Sequence, residues 1–141
     1  MFMIDDIFQG IAGALKNAFD DIECTTFITE QGLETPCFYI HLLKATDEPY
    51  PSDIKNRVQP FDIMYFPYDE NDNQTMYNVA RVAIEALEII DVGDRKLRGT
   101  NISYEIQDGV LHIFVNYNVL VRPLKPEYYM ETLDTDIGLK G

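Results

Sequence analysis

His41 and His112 are the only imidazoles in the chain, and an imidazole beside a carboxylate is a common acid–base device near neutral pH. If the segments on either side of Asp108-Gly109 fold back on each other, Glu105 falls opposite His112. That pair could move a proton. The sequence offers no Ser or Cys arrangement that would complete a nucleophilic site around it, so it reads as a cross-strand surface contact. Asp69, Glu70 and Asp72 bring three carboxylates together, but they lack the alternating ligand spacing and turn glycine of an EF-hand loop and read as a solvated acidic loop. Cys24 and Cys37 lack the CxxC spacing of a metal or redox site, and with no secretion signal they read as reduced thiols. No GxxxxGK[ST], GxGxxG or HExxH motif occurs, so nucleotide and zinc-hydrolase chemistry has no foothold. The expected catalytic, cofactor-binding and metal-ligating sets are therefore empty. What remains is a basic cluster, Arg95, Lys96 and Arg98, on an acidic background. It reads either as a solvated turn with an ion pair or as a docking point for an acidic surface of a second copy.

These side chains need a scaffold, and residues 99–123, GTNISYEIQDGVLHIFVNYNVLVRP, organise it. Asp108-Gly109 suits a type I′ turn, because both residues tolerate positive φ. Pairing Gln107 with Val110 then sets Ile106 against Leu111, Tyr104 against Ile113 and Ile102 against Val115, so apolar residues meet on one face. The second strand continues through Tyr117, Val119 and Val121, outruns its partner, and is expected to pair with a central strand ending at Phe66.

Upstream, Ile4, Ile7, Phe8, Ile11, Leu15 and Phe19 recur at helical spacing, with Asp5 and Asp6 near the positive end of the helix dipole. Gly10 and Gly13 weaken this helix slightly, through simple tolerance or for close approach to a partner. Residues 22–30 and 35–44 read as strands, the second covered on both sides. Residues 45–54 form a loop or hairpin tip. Residues 55–67 resume strand character, with Phe61, Ile63 and Tyr65 on one face and Asp62, Met64 and Phe66 on the other. Two apolar faces imply burial under two layers or cover from another copy. Residues 73–90 carry a second helical stripe, and Gly93 marks its stop.

With 141 residues the chain suits one domain. Its net charge of −13, from 24 acidic and 11 basic residues, opposes nonspecific binding to phosphate backbones. No stretch reaches the ~18 consecutive apolar residues that a membrane span needs. Residues 124–141 lack core periodicity but carry Tyr128, Tyr129, Met130, Leu133 and Ile137. Tyr and Met favour protein contacts, so this segment reads as an arm along a neighbouring subunit or as self-packing beneath the second helix.

The order of the amphipathic helix, EQGLETPCFYIHLL, VQPFDIMYFP, the second helix and LRGTNISYEIQDGVLHIFVNYNVLVRP resembles the tail terminator, or tail completion, proteins of long-tailed phages and prophages of Gram-positive bacteria. The resemblance implies an α+β fold, a mixed and mostly antiparallel sheet with two amphipathic helices packed on one face. It spans about residues 4–123, within the single domain expected over 1–123, while the C-terminal arm of residues 124–141 lies outside it and is read from its residues alone. It further implies a non-enzymatic virion protein, assembled in the host cytoplasm and placed at the head-proximal end of the tail. There a homo-oligomeric ring, a hexamer, would end tube polymerisation and dock the head connector. The implied partners are copies of the chain, the tail tube protein, the head connector or neck protein and the tail sheath. DNA would pass through the lumen without specific binding, and neither cofactor nor membrane is involved. Met64, Phe66, Arg95, Lys96, Arg98, Tyr128, Tyr129, Met130 and Leu133 are the candidate interface residues. A head-to-tail connector or stopper, or the cap of a headless phage-tail-like bacteriocin, shares this architecture. An acidic cytoplasmic adaptor or inhibitor module is the reading from another class.

Overall fold

The computed structural model describes residues 4–19, 25–27 and 35–122. In chain order these form α1 (Ile4–Ala18), β1 (Thr25–Phe27), β2 (Cys37–Leu42), β3 (Thr46–Pro49), β4 (Lys55–Phe66), α2 (Asn73–Leu87), β5 (Ile89–Val92), β6 (Arg95–Gln107) and β7 (Val110–Val121). The strands make one sheet in the order β1-β2-β4-β7-β6-β5, with β3 also paired to β4. Only β1 and β2 run parallel; every other pairing is antiparallel.

The hairpin expected from Asp108-Gly109 forms, with φ of 55° and 76° at those two residues. Gln107↔Val110, Ile106↔Leu111, Glu105↔His112 and Tyr104↔Ile113 hold the expected register. Ile102 opposite Val115 does not appear as a simple pair. The register shifts between Ser103↔Phe114 and Thr100↔Asn116, and Asn101 takes a positive φ of 53°, the mark of a β-bulge. β4 pairs with the other edge of β7 along nearly its whole length, from Lys55↔Val121 to Tyr65↔Leu111, and not only with the end that outruns β6, which makes β4 and β7 the centre of the sheet.

Both helices lie over one sheet face. Ile7, Ile11 and Leu15 of α1 and Met76, Val79, Ala80, Ala83 and Leu87 of α2 bury against Phe38, Ile40, Phe61, Ile63, Tyr65, Leu111, Ile113, Val115 and Tyr117 in one cluster. Each such large side chain is worth roughly 1.5–3 kcal/mol of transfer free energy. The period-2 pattern of β7, with Leu111, Ile113, Val115 and Tyr117 buried and their alternates only half-buried, follows from cover on one side alone.

The second helix is shorter than its apolar periodicity predicts. It ends at Leu87 with Glu88 as C-cap, and Ile89 and Ile90 belong to β5 instead. Gly93 therefore serves a hairpin turn, at φ +63°, between the pair Val92↔Arg95. Gly10 is more than tolerated: a Cβ there would lie 2.7 Å from the Asp91 carbonyl oxygen, so this glycine lets α1 cross β5. Gly13 faces open space. Residues 46–49 pair with β4, which makes the 45–54 stretch a hairpin tip, and Arg57 and Asp47 clamp it at 2.8 Å. The strand of residues 37–42 is covered on both sides only at its start, where Cys37 and Phe38 are buried; His41 is exposed.

Candidate subunit interface

The sheet face turned away from the helices carries Tyr39 and His41 of β2, Asp62, Met64 and Phe66 of β4, and His112 and Phe114 of β7. Alternation puts them there, because their neighbours Ile40, Phe61, Ile63, Tyr65, Leu111 and Ile113 point into the core. The register sets Tyr39 against Met64, His41 against Asp62 and Met64 against His112. Tyr39, Met64, Phe66, His112 and Phe114 are all half-buried. The apolar second face expected of β4 is thus real, and Met64 and Phe66 lie on it.

At its middle His112 Nδ1 meets both Asp62 oxygens, at 3.0 and 3.2 Å. The side chains are only 19% and 10% exposed. Glu105 does face His112 across the hairpin, yet the hydrogen-bonded carboxylate is Asp62, on the other neighbouring strand. Sequence reasoning missed this pair, whose one available signal was an Asp inside a strand with apolar residues on both faces. The imidazole ring stacks on Phe114, with centroids 6.2 Å apart and planes 10° apart, so aromatic contact and the carboxylate together fix its orientation. The arrangement can orient and neutralise a charge within a mainly apolar face. Among the described residues no group of three His, Cys, Asp or Glu side chains converges to hold a metal.

The basic cluster is split by strand alternation. Arg95 lies opposite Val92, while Lys96 and Arg98 lie opposite Asp91 and Ile89, so Lys96 and Arg98 project to one side of the β5–β6 hairpin and Arg95 to the other. Lys96 Nζ bonds Asp91 at 2.6 Å with both groups well exposed. Tyr128, Tyr129, Met130 and Leu133, and the arm that holds them, lie outside the described residues.

The acidic loop serves the fold. Asp69 accepts the Asn71 N–H at 3.0 Å, and Asp72 caps α2 by accepting from Thr75 N at 3.1 Å and Thr75 Oγ1 at 2.6 Å. The Thr75 hydroxyl and then its N–H hold the Asp72 carboxyl below its ordinary range. The loop also packs on the hairpin turn, since a Cβ on Gly109 would lie 2.7 Å from Glu70 Cβ. One end of the sheet therefore gathers Asp69, Glu70, Asp72 and Asp108, and neither the 67–72 loop nor the 108–109 turn contains a Lys or Arg.

Fold and face together define a small α+β protein with one sheet face sealed by its own helices and the other half-covered around a hydrogen-bonded Asp62–His112 pair. Residues 6–129 match the family model described as phage tail terminator protein, and the chain belongs to that family. Comparison with curated proteins gives no match. Membership makes the chain a structural protein of the phage tail, placed in the virion among other tail and head proteins. Among the described residues no helix is long and apolar enough to cross a membrane.

Proposed function

We propose that copies of this chain close into a ring, a hexamer, that caps the head-proximal end of the tail tube, stops its polymerisation and presents the docking surface for the head connector. The observation that carries the reading is the half-covered outer face of the sheet. Tyr39, Met64, Phe66 and Phe114 offer an aromatic and thioether surface of the composition that protein contacts favour. The Asp62–His112 pair at its centre supplies a fixed polar contact. Ring closure needs a heterologous interface, one patch meeting a different patch on the neighbour. Lys96 and Arg98 on one side of the β5–β6 hairpin, and the arm of residues 124–141, are further parts of that contact.

The acidic end formed by Asp69, Glu70, Asp72 and Asp108 supports a lumen through which DNA passes without adhering, because like charges repel. The role requires no bond-breaking step and no cofactor. Mixing the purified chain with tail tube protein and imaging by negative-stain electron microscopy tests it. Tubes of restricted length bearing a ring at one end are expected. Unaltered tube lengths, with a chain that stays monomeric by light scattering, would sink the proposal.

A further inference from the structure

We infer that the outer edge of β6 from Asn101 to Gln107 pairs with β1 of a second copy, so that the sheet continues from one subunit to the next. The inference rests on the ring reading above and names the contact that closes it. β5 pairs only with Arg95–Arg98 of β6, and past that point β6 has no outer partner strand among the described residues. Alternation of the antiparallel ladder turns the N–H and C=O of Tyr104 and Ile106 outward. An edge of unpaired backbone groups is a template for another strand unless it is guarded.

The guarding is uneven. β3 is four residues long, carries Asp47 and Glu48, ends in Pro49 and is exposed along its length. Short length, charge and proline are the devices that keep an edge from pairing. On β6 the sequence Asn101-Ile-Ser-Tyr-Glu-Ile-Gln107 has no proline, no lysine and one charge, Glu105. Ile102 and Ile106 are half-buried, and Tyr104 remains 43% exposed.

Charge selects the occupant, and strand direction permits it. Setting β3 of a second copy against this edge would bring Glu48, beside the Arg57-paired Asp47, up to Glu105, a like-charge contact in a chain already at −13. β1, Thr25-Thr26-Phe27, brings no charge and is the last strand at the opposite margin among the described residues. Successive pairings make β1 and β6 antiparallel to one another. A neighbour generated by rotation about an axis along the strands keeps that relation, so β1 of the next copy meets β6 antiparallel. The contact joins two different patches, as a closed ring demands.

The test uses the full chain with Cys24→Ser. Tyr104→Pro removes one outward N–H and leaves the bonds to β7 in place. It is expected to retain its circular dichroism spectrum while self-association weakens about tenfold or more by light scattering. In parallel, single cysteines are placed at Thr25, Thr26 or Phe27 and, on a separate copy, at Tyr104. Oxidation should give a cross-linked dimer when the β1 and β6 variants are mixed and none when either is oxidised alone. Self-cross-linking of Tyr104→Cys would replace the inference with a two-fold β6–β6 dimer. Normal rings from Tyr104→Pro, with no mixed cross-link at any of the three β1 positions, would overturn the inference and leave the ring reading standing. A parent chain that neither self-associates nor caps tubes would overturn the ring reading, and this inference with it. If Tyr104→Pro does not fold, the cross-linking result decides.

Discussion

The hydroxyl of Tyr117, in the middle of the sheet, donates a 2.7 Å hydrogen bond to the carbonyl oxygen of Leu87, the last residue of α2. The ring is fully buried, and burial pushes its phenol far above the ordinary tyrosine range, so at all ordinary pH it remains a neutral donor. Two residues after Leu87 the chain enters β5, and Gly99 N–H bonds the Glu88 carbonyl at 2.7 Å. Between them Tyr117 and Gly99 take up two carbonyls at the end of the helix, which otherwise lack intrahelical partners.

Tyr117→Phe keeps the ring and strands the Leu87 carbonyl away from water. An unsatisfied buried acceptor costs about 1–3 kcal/mol, so urea unfolding should show a lower midpoint with an unchanged slope. A variant as stable as the parent would mean that water reaches this carbonyl.

Gly99→Ala would put a Cβ 2.7 Å from both the Leu87 carbonyl and Val115 Cγ2. Gly10→Ala would meet the Asp91 carbonyl at the same distance. Overpacking of this kind costs about 1–3 kcal/mol and more where backbone cannot yield, and thermal unfolding should report it for both. Gly13→Ala is the contrast: it has open space and a helical backbone, and should stabilise by up to ~1 kcal/mol.

Removing His112 alone leaves the Asp62 carboxylate mostly buried and unpaired. His112→Ala should therefore cost about 1–3 kcal/mol, whereas Asp62→Leu with His112→Leu should recover most of the loss, since replacing both partners of a buried hydrogen bond by apolar groups is nearly neutral. A double variant as weak as the single one would show that the ring stacking on Phe114, rather than the carboxylate, holds His112.

The Asp72 carboxyl titrates lower in the folded chain than in the unfolded one. A depressed folded pKa adds stability above the unfolded value, and that contribution disappears as pH falls through the folded one. The thermal midpoint of Asp72→Ala should accordingly lie a few degrees below the parent at pH 6 and converge on it as pH falls through the depressed folded pKa. A constant difference across that range would assign the cap to geometry rather than charge.

Much of this fold was legible in the residues because its signals are local. Asp108-Gly109 fixes a turn, and a period-2 pattern on each side fixes which face is buried, so the register of β6 with β7 as far as the bulge, and β4 as the further partner of β7, could be read directly. The stripes of α1 and α2 were equally plain. Periodicity could not end α2, since Ile90 fits the helical stripe and the strand alike; the end is set by β6, which offers β5 a ladder of backbone bonds. The work of Gly10 was invisible for the same reason, as it depends on a carbonyl some eighty residues away.

The interface candidates divide along the same line. Met64 and Phe66 were visible as the second apolar face of one strand, and alternation alone put them on a common side. That Asp62 rather than Glu105 holds His112, that Lys96 and Arg98 part company with Arg95, and that the outer edge of β6 has no partner strand among the described residues were decided by which strands lie side by side. Pairing between distant strands comes from the packing of the whole sheet against its helices, a sum of many weak contacts that no short stretch of sequence contains.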